Sequence, residues 1–320
     1  MDALVEYAGP ADTGGPYARL TLNSPHNRNA LSSTLVAQLH QGLRDAASDP
    51  AARAVVLGHA GGTFCAGADL SEAGAAGRSG SPPSGRGDRE SGAAGRSGSP
   101  PSGRGDRESG AAGRSGSPPS GRGDRESGAA GRSGSPPSGY EMAVARAREM
   151  AALMRAIVAS PLPVIAAING HVRAGGFGLV GACDIVVAGP RSTFALTEAR
   201  IGVAPAIISL TLLPKLSPRA AARYYLTGEK FDADVAAEIG LITMAVEDVD
   251  DAVAKLVADV GRGSPQGLAA SKALTTAAVL EGFDREAERL AEESARLFVS
   301  DEAREGMLAF LEKRPPSWTS

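Results

Sequence analysis

The sequence predicts an α/β domain built on a largely parallel sheet, followed by a helical C-terminal region. Three observations carry this. Ala18, Leu20 and Leu22 alternate with polar neighbours at the period of a half-buried strand. Ala54-Val55-Val56-Leu57 and Val164-Ile165-Ala166-Ala167-Ile168 are short unbroken apolar runs, as fully buried strands require. Helical spacing lies between and after them, and strands alternating with helices imply parallel pairing through right-handed crossovers.

In chain order, the strand near residues 18–22 is followed by a helix over 31–47 and then the strand at 54–57. Met142, Met150, Met154, Ile157 and Val158 recur at helical spacing until Pro161 and Pro163 stop the helix, just before the strand at 164–168. From about residue 217 the pattern is almost all helix, ending in a segment over 301–313. Residues 1–73 and 140–216 are therefore expected to form the α/β core, and 217–320 a helical region packed on it or on another subunit.

Between the two core segments lies something of different composition. Residues 77–94 read GRSGSPPSGRGDRESGAA, the same letters recur at 95–112 and 113–130, and a half unit closes the series at 131–139. A packed repeat needs apolar positions to bury against its neighbours, and each unit offers only two alanines. Residues 74–139 are thus expected to be a disordered insert, because so little apolar surface cannot offset the entropy of ordering the chain. Each unit adds three arginines against one aspartate and one glutamate, so the remainder is more acidic than the whole chain's net −3. That balance argues against a nucleic-acid partner. With no long apolar stretch, no charged segment ahead of an apolar run and only Cys65 and Cys183, the expectation is a cytoplasmic protein without membrane or disulfide.

Three segments could carry chemistry. Phe64-Cys65-Ala66-Gly67-Ala68-Asp69-Leu70 follows the strand at 54–57; its small residues allow close approach to a ligand, though a plain strand-to-helix turn would look the same. Asn169 to Gly178 forms a glycine-rich link between a strand and a helix start, where unpaired N–H groups can meet an anion. His171 lies in that link and reads either as a ligand contact or as a hydrogen-bonded loop residue. In Phe194 to Gly202, the lone Glu198 reads either as a carboxylate tuned for proton transfer or as a partner of Arg200. Nucleotide, serine-hydrolase and zinc-protease signatures are missing, and the four histidines lack metal-ligand spacing.

Taken in order with Leu22 to Leu31, Leu226-Thr227-Gly228 and Glu305 to Arg314, these segments resemble the crotonase (enoyl-CoA hydratase/isomerase) superfamily over residues 15–315, the insert excepted. The resemblance implies a spiral of ββα units with a helical C-terminal trimerisation region, and a homotrimer or dimer of trimers. It implies an acyl-CoA thioester as substrate, coenzyme A being part of that substrate, and no separate cofactor or metal. By the same likeness, the N–H groups of Ala68 and Gly175 match an oxyanion hole and Glu198 a catalytic carboxylate. Arg28, Ala30, Ala66, Asp69 and Leu70 match positions near the CoA moiety. Where two-glutamate hydratases carry their first glutamate, this chain has Gly178. The implied activity is hydration of an α,β-unsaturated acyl-CoA, with a wording around 175–180 and 203–209 that resembles bacterial methylglutaconyl-CoA hydratases; Arg173 would then meet a substrate carboxylate. A Δ3,Δ2-enoyl-CoA isomerase and a non-catalytic acyl-CoA-binding relative are the alternatives.

Long polar loops add closure entropy only slowly with length. Deleting residues 77–130 should therefore leave soluble expression and turnover near the full-length values. Loss of either in the deletion protein would refute the passive reading of the repeat.

Overall fold

The computed structural model describes residues 3–69 and 137–319. The chain divides into one unit of Met1–Ser79 with Pro136–Ser320 and a second of Gly80–Ser135, and every described residue belongs to the first. The expectation of a disordered insert, up to residue 136, and the assignment of Leu70 lie outside the described residues.

The strands are β1 (Val5–Ala8), β2 (Tyr17–Leu22), β3 (Ala54–His59), β4 (Thr63–Cys65), β5 (Val164–Ile168), β6 (His171–Arg173), β7 (Ile185–Ala188), β8 (Thr193–Ala195) and β9 (Met244–Ala245). The helices are α1 (Pro10–Thr13), α2 (Ser33–Ser48), α3 (Gly139–Val158), α4 (Gly175–Ala182), α5 (Ser209–Leu212), α6 (Pro218–Thr227), α7 (Ala233–Glu238), α8 (Val249–Gly261), α9 (Pro265–Phe298) and α10 (Asp301–Glu312). A six-stranded sheet has the order β1-β2-β3-β5-β7-β9, parallel except where β1 meets β2. A second sheet, β4-β6-β8, is wholly parallel. Successive strand pairs β3β4, β5β6 and β7β8 each contribute one strand to each sheet. The chain therefore climbs as a spiral of ββ units with helices between them.

Why the central strands are apolar at every position is clear from the layers. Val55, Leu57, Val164 and Ala166 face the main core, whereas Ala54, Val56, Ile165 and Val187 face a second cluster closed by Val253 and Val257 of α8. Both faces are covered, so no position can be polar. Phe177 of α4 meets Phe194 of β8 edge-on at 6.0 Å, and Phe194 stacks on Phe231 at 5.6 Å, which fastens the helix to the small sheet.

Helix boundaries move for identifiable reasons. The helix expected over 31–47 begins at Ser33 because Ser32 caps it, accepting the Leu35 N–H at 3.2 Å. The last residues of the expected insert turn out to be structural. Ser138 accepts the Glu141 N–H while the Glu141 carboxylate takes the Ser138 N–H at 2.7 Å, so α3 starts at Gly139. The C-terminal region is helical as expected, except that β9 pairs with β7. No helix among the described residues is long and apolar enough to cross a membrane.

A buried ion pair ties the helical region to the sheet. Lys272 of α9, 6% exposed, gives its ammonium to the Ile157 and Leu162 carbonyls at 2.9 and 3.0 Å and to the Asp184 carboxylate at 2.7 Å. Asp184 in turn accepts the Val164 N–H at 2.7 Å. Removing one partner strands the other charge, so Lys272→Met should lower stability by about 3 kcal/mol, read by urea denaturation. A change of under about 1 kcal/mol would mean that the pair is no anchor.

Candidate active site

Because the small sheet is parallel, its three C-terminal ends lie side by side. Each runs into a segment singled out in the sequence: β4 into Ala66 to Asp69, β6 into Ala174 and Gly175, β8 into Glu198.

The turn after β4 is held by a parallel bridge between Leu31 and Ala68. Leu31 donates to the Gly67 carbonyl at 2.7 Å and receives the Asp69 N–H at 3.3 Å. In that pattern the residues flanking Ala68 serve the bridge, and the N–H of Ala68 itself points the other way. After β6 the chain bends at Ala174, with φ 44° and ψ −123°, a region nearly closed to residues with a Cβ. Gly175 then opens α4, carrying one of the N–H groups that a helix leaves without an internal acceptor. The two turns touch. Gly67 has φ 101°, and a Cβ there would stand 2.5 Å from that of Ala174.

Glu198 opens a short 3-10 turn and is 8% exposed. Its Oε2 has no hydrogen-bond partner, and burial pushes its pKa up to about 7 against a weaker opposing pull from its own backbone N–H. Arg200, the partner considered from sequence, does not pair with it. Its Nε and Nη2 donate instead to the Thr227 carbonyl, at 3.1 and 2.8 Å.

Ala68, Asp69, Ala174, Gly175 and Glu198 all line one cavity of about 700 Å³. Met142 and Met150 of α3, the segment Val203 to Ile208 and the end of α9 form its largely apolar walls. Two backbone donors and a carboxyl that is half-ionised near neutrality can polarise a carbonyl and move a proton on a neighbouring carbon.

A sequence profile described as Enoyl-CoA hydratase/isomerase matches residues 14–84 and 138–320. The chain belongs to this family. A solved structure of an enoyl-CoA hydratase from Mycobacterium avium is 68% identical, covering 99% of this chain and 100% of that one, with a TM-score of 0.77. One from Shewanella pealeana is 26% identical over 98% of this chain and 96% of that one, with a TM-score of 0.62. Carnitinyl-CoA dehydratase of Proteus mirabilis is 33% identical over 163 residues, 49% of this chain and 62% of that protein. The spiral fold and the acyl-CoA chemistry expected from the motifs are those of this family.

Not every residue expected at the site reaches the cavity. Arg28 is exposed, Ala30 is buried and Ala66 donates to the Arg28 carbonyl at 3.1 Å; these three back the β4 turn rather than line the cavity. Arg173 does not line the cavity either. Its guanidinium turns along the sheet, donating to the Val172 and Thr193 carbonyls at 2.7 Å each and to the Thr193 hydroxyl at 3.0 Å, so it is not poised for a substrate carboxylate. His171 is hydrogen-bonded to the same Thr193 hydroxyl at 2.8 Å, the loop-residue alternative. Met150 entered the sequence reading only through its helical spacing and Ile208 only through the wording of 203–209; that both face the cavity was not visible there.

Gly178 is explained by its surroundings. A Cβ there would stand 2.6 Å from Met154 Sδ, 2.8 Å from Ile208 Cγ2 and 2.9 Å from Met150 Cε, so apolar atoms fill the space a second carboxylate would need.

The raised pKa of Glu198 has a stability consequence with a definite sign. Below the ordinary carboxylate range the group is neutral in both states and nothing is lost; as pH rises from that range to about 7 the unfolded chain ionises while the native state holds its proton, so stability falls, and the loss is complete once the native carboxyl also ionises. Glu198→Gln should thus match wild-type stability near pH 4 and exceed it at pH 8 by up to about 3 kcal/mol. Thermal unfolding at the two pH values measures this, and a pH-independent difference would contradict it.

Proposed function

We propose that this protein adds water to an α,β-unsaturated acyl-CoA thioester, and removes it in reverse, with Glu198 as the acid–base group. The observation that carries the reading is the meeting of a buried carboxyl, one oxygen of which has no partner, with the backbone donors of Ala68 and Gly175 in one largely apolar cavity. The thioester oxygen would accept both N–H groups. Each such donor, aimed at charge that develops in the reaction, is worth roughly 3 to 4 kcal/mol.

In the forward direction the Glu198 carboxylate takes a proton from water while the water oxygen bonds to C3. The C2–C3 π electrons move toward the thioester oxygen as an enolate. Glu198 then returns the proton to C2 and the carbonyl re-forms. A pKa near neutrality suits a group that must be base and acid in one cycle. The names of the Mycobacterium avium and Proteus mirabilis relatives support water addition and removal.

For the acyl group we read an uncharged chain rather than a carboxylated one. Arg146, the cation that lines the cavity among the described residues, is paired with Glu149 at 2.9 Å and bonded to Ser33, and Arg173 is turned away. A trimer or dimer of trimers belongs to the same proposal, since Leu274, Phe310 and Leu311 of the C-terminal helices are exposed.

One observation favours a second reading, Δ3,Δ2-isomerisation. The apolar packing at Gly178 leaves no second carboxylate at that position to hold water, and carrying one proton between C2 and C4 needs Glu198 alone. Crotonyl-CoA and a 3-enoyl-CoA, each followed by mass in D2O, separate the two. We expect a hydrated product from crotonyl-CoA and a fall in kcat of at least about a hundredfold in Glu198→Gln. Clean conversion of the 3-enoyl substrate without hydration would establish the isomerase instead. A near wild-type rate for Glu198→Gln would remove Glu198 from the mechanism altogether.

A further inference from the structure

Two motifs contributed to the family likeness yet do not line the cavity: Leu226-Thr227-Gly228 and the segment beginning Glu305-Gly306. Both end on the turn that carries Glu198.

The carboxyl of Glu198 cannot position itself. One oxygen has no partner, and the hydrogen bond that supports the group comes from its own backbone N–H. Its place is therefore inherited from the backbone of the Glu198–Ile201 turn. On one side of that turn, Arg200 donates from Nε and Nη2 to the Thr227 carbonyl, at the end of α6, where helix carbonyls lack internal donors. Gly228 admits the guanidinium: it has φ 60°, and a Cβ there would stand 2.8 Å from Arg200 Nε and 3.0 Å from the Leu196 carbonyl. On the other side the turn lies directly on α10. A Cβ at Gly306 would stand 2.5 Å from the carbonyl carbon and oxygen of Ile201. A Cβ at Gly202, where φ is 76°, would stand 2.6 Å from the backbone carbonyl of Glu302. Two glycines thus let backbone rest on backbone. The far end of α10 is held in turn by the pairing of Glu305 with Arg314 at 2.7 Å.

We infer that Arg200 with the Thr227 carbonyl, and Gly306 with Ile201, form a two-sided clamp that sets the position of Glu198, making Arg200 and Gly306 positioning residues. The inference rests on the reading of Glu198 as the acid–base group. A shift of about an ångström in a reacting group far from the altered residue can lower rates a hundredfold, so even a loosened turn should register.

The test compares Arg200→Leu, Arg200→Lys and Gly306→Ala with wild type, measuring kcat, KM and the pH–rate profile on the best enoyl-CoA substrate. Arg200→Leu should lower kcat about tenfold or more, leave KM within about twofold and displace the pH limb set by Glu198. Arg200→Lys, which keeps one donor for the Thr227 carbonyl, should recover part of the loss. Gly306→Ala should act in the same direction; if it does not fold, the Arg200 pair decides. Wild-type kcat and an unmoved pH limb in Arg200→Leu would overturn the clamp, as would a loss of activity that merely tracks the fraction folded. Glu198→Gln run beside them keeps the two ideas apart. If that variant stays active, the reading of Glu198 fails; if it is inactive while Arg200→Leu is normal, only the clamp fails.

Discussion

The site depends on one constraint: three short strands, β4, β6 and β8, must run parallel and end together. Parallel neighbours cannot be joined by a hairpin, so each return passes through the larger sheet and a helix. That detour builds the spiral and the core. It also leaves three chain segments emerging at one edge, where the end of β4 offers Ala68, the end of β6 offers Gly175 and the end of β8 offers Glu198. The segments can approach closely enough to act together only because Gly67 has no side chain to collide with Ala174.

Two buried ionisable sites in the molecule show opposite treatment. Lys272 and Asp184 are partnered by each other and by backbone groups of α3, β5 and the link between them, and this satisfies the demand that a buried charge be paired. Glu198 is left with an unpartnered oxygen among apolar walls, and its neutral form is favoured as a result. Ala174 adds a strained backbone beside it. Ser24 Oγ and His59 Nδ1 are also buried without a partner, but Glu198 is the carboxyl among the three and the one that lines the cavity, and an unpaired carboxyl with a strained backbone at one cavity is the physical mark of a site kept for chemistry rather than stability.

Gly178 shows how packing rather than motif governs what the cavity can do. In sequence it is one more glycine in a glycine-rich segment. In the fold it is the point where Met150, Met154 and Ile208 converge, so its lack of a side chain gives room to thioether and methyl groups. In the proposed reaction the acid–base work thereby falls on one carboxyl, and the walls around it are largely apolar.

Periodicity and apolar runs alone determined the central strands, the helices on either side of them and the helical C-terminal region, because burial on both faces of a sheet, or one face of a helix, leaves a pattern in neighbouring residues. The glycine-rich ends of the strands, and Glu198 among apolar neighbours, were legible for the same local reason. Direction was not. Whether Arg173 faces the cavity or the Thr193 carbonyl, and whether Arg200 meets Glu198 or Thr227, depends on strand register and on segments far away in the chain. Ser138 is a different case: the repeat's composition assigned it to the insert, although its capping partner Glu141 stands only three residues on. Side-chain chemistry is written residue by residue, but a partner brought from 20 or more positions away exists only once the parallel sheets have closed.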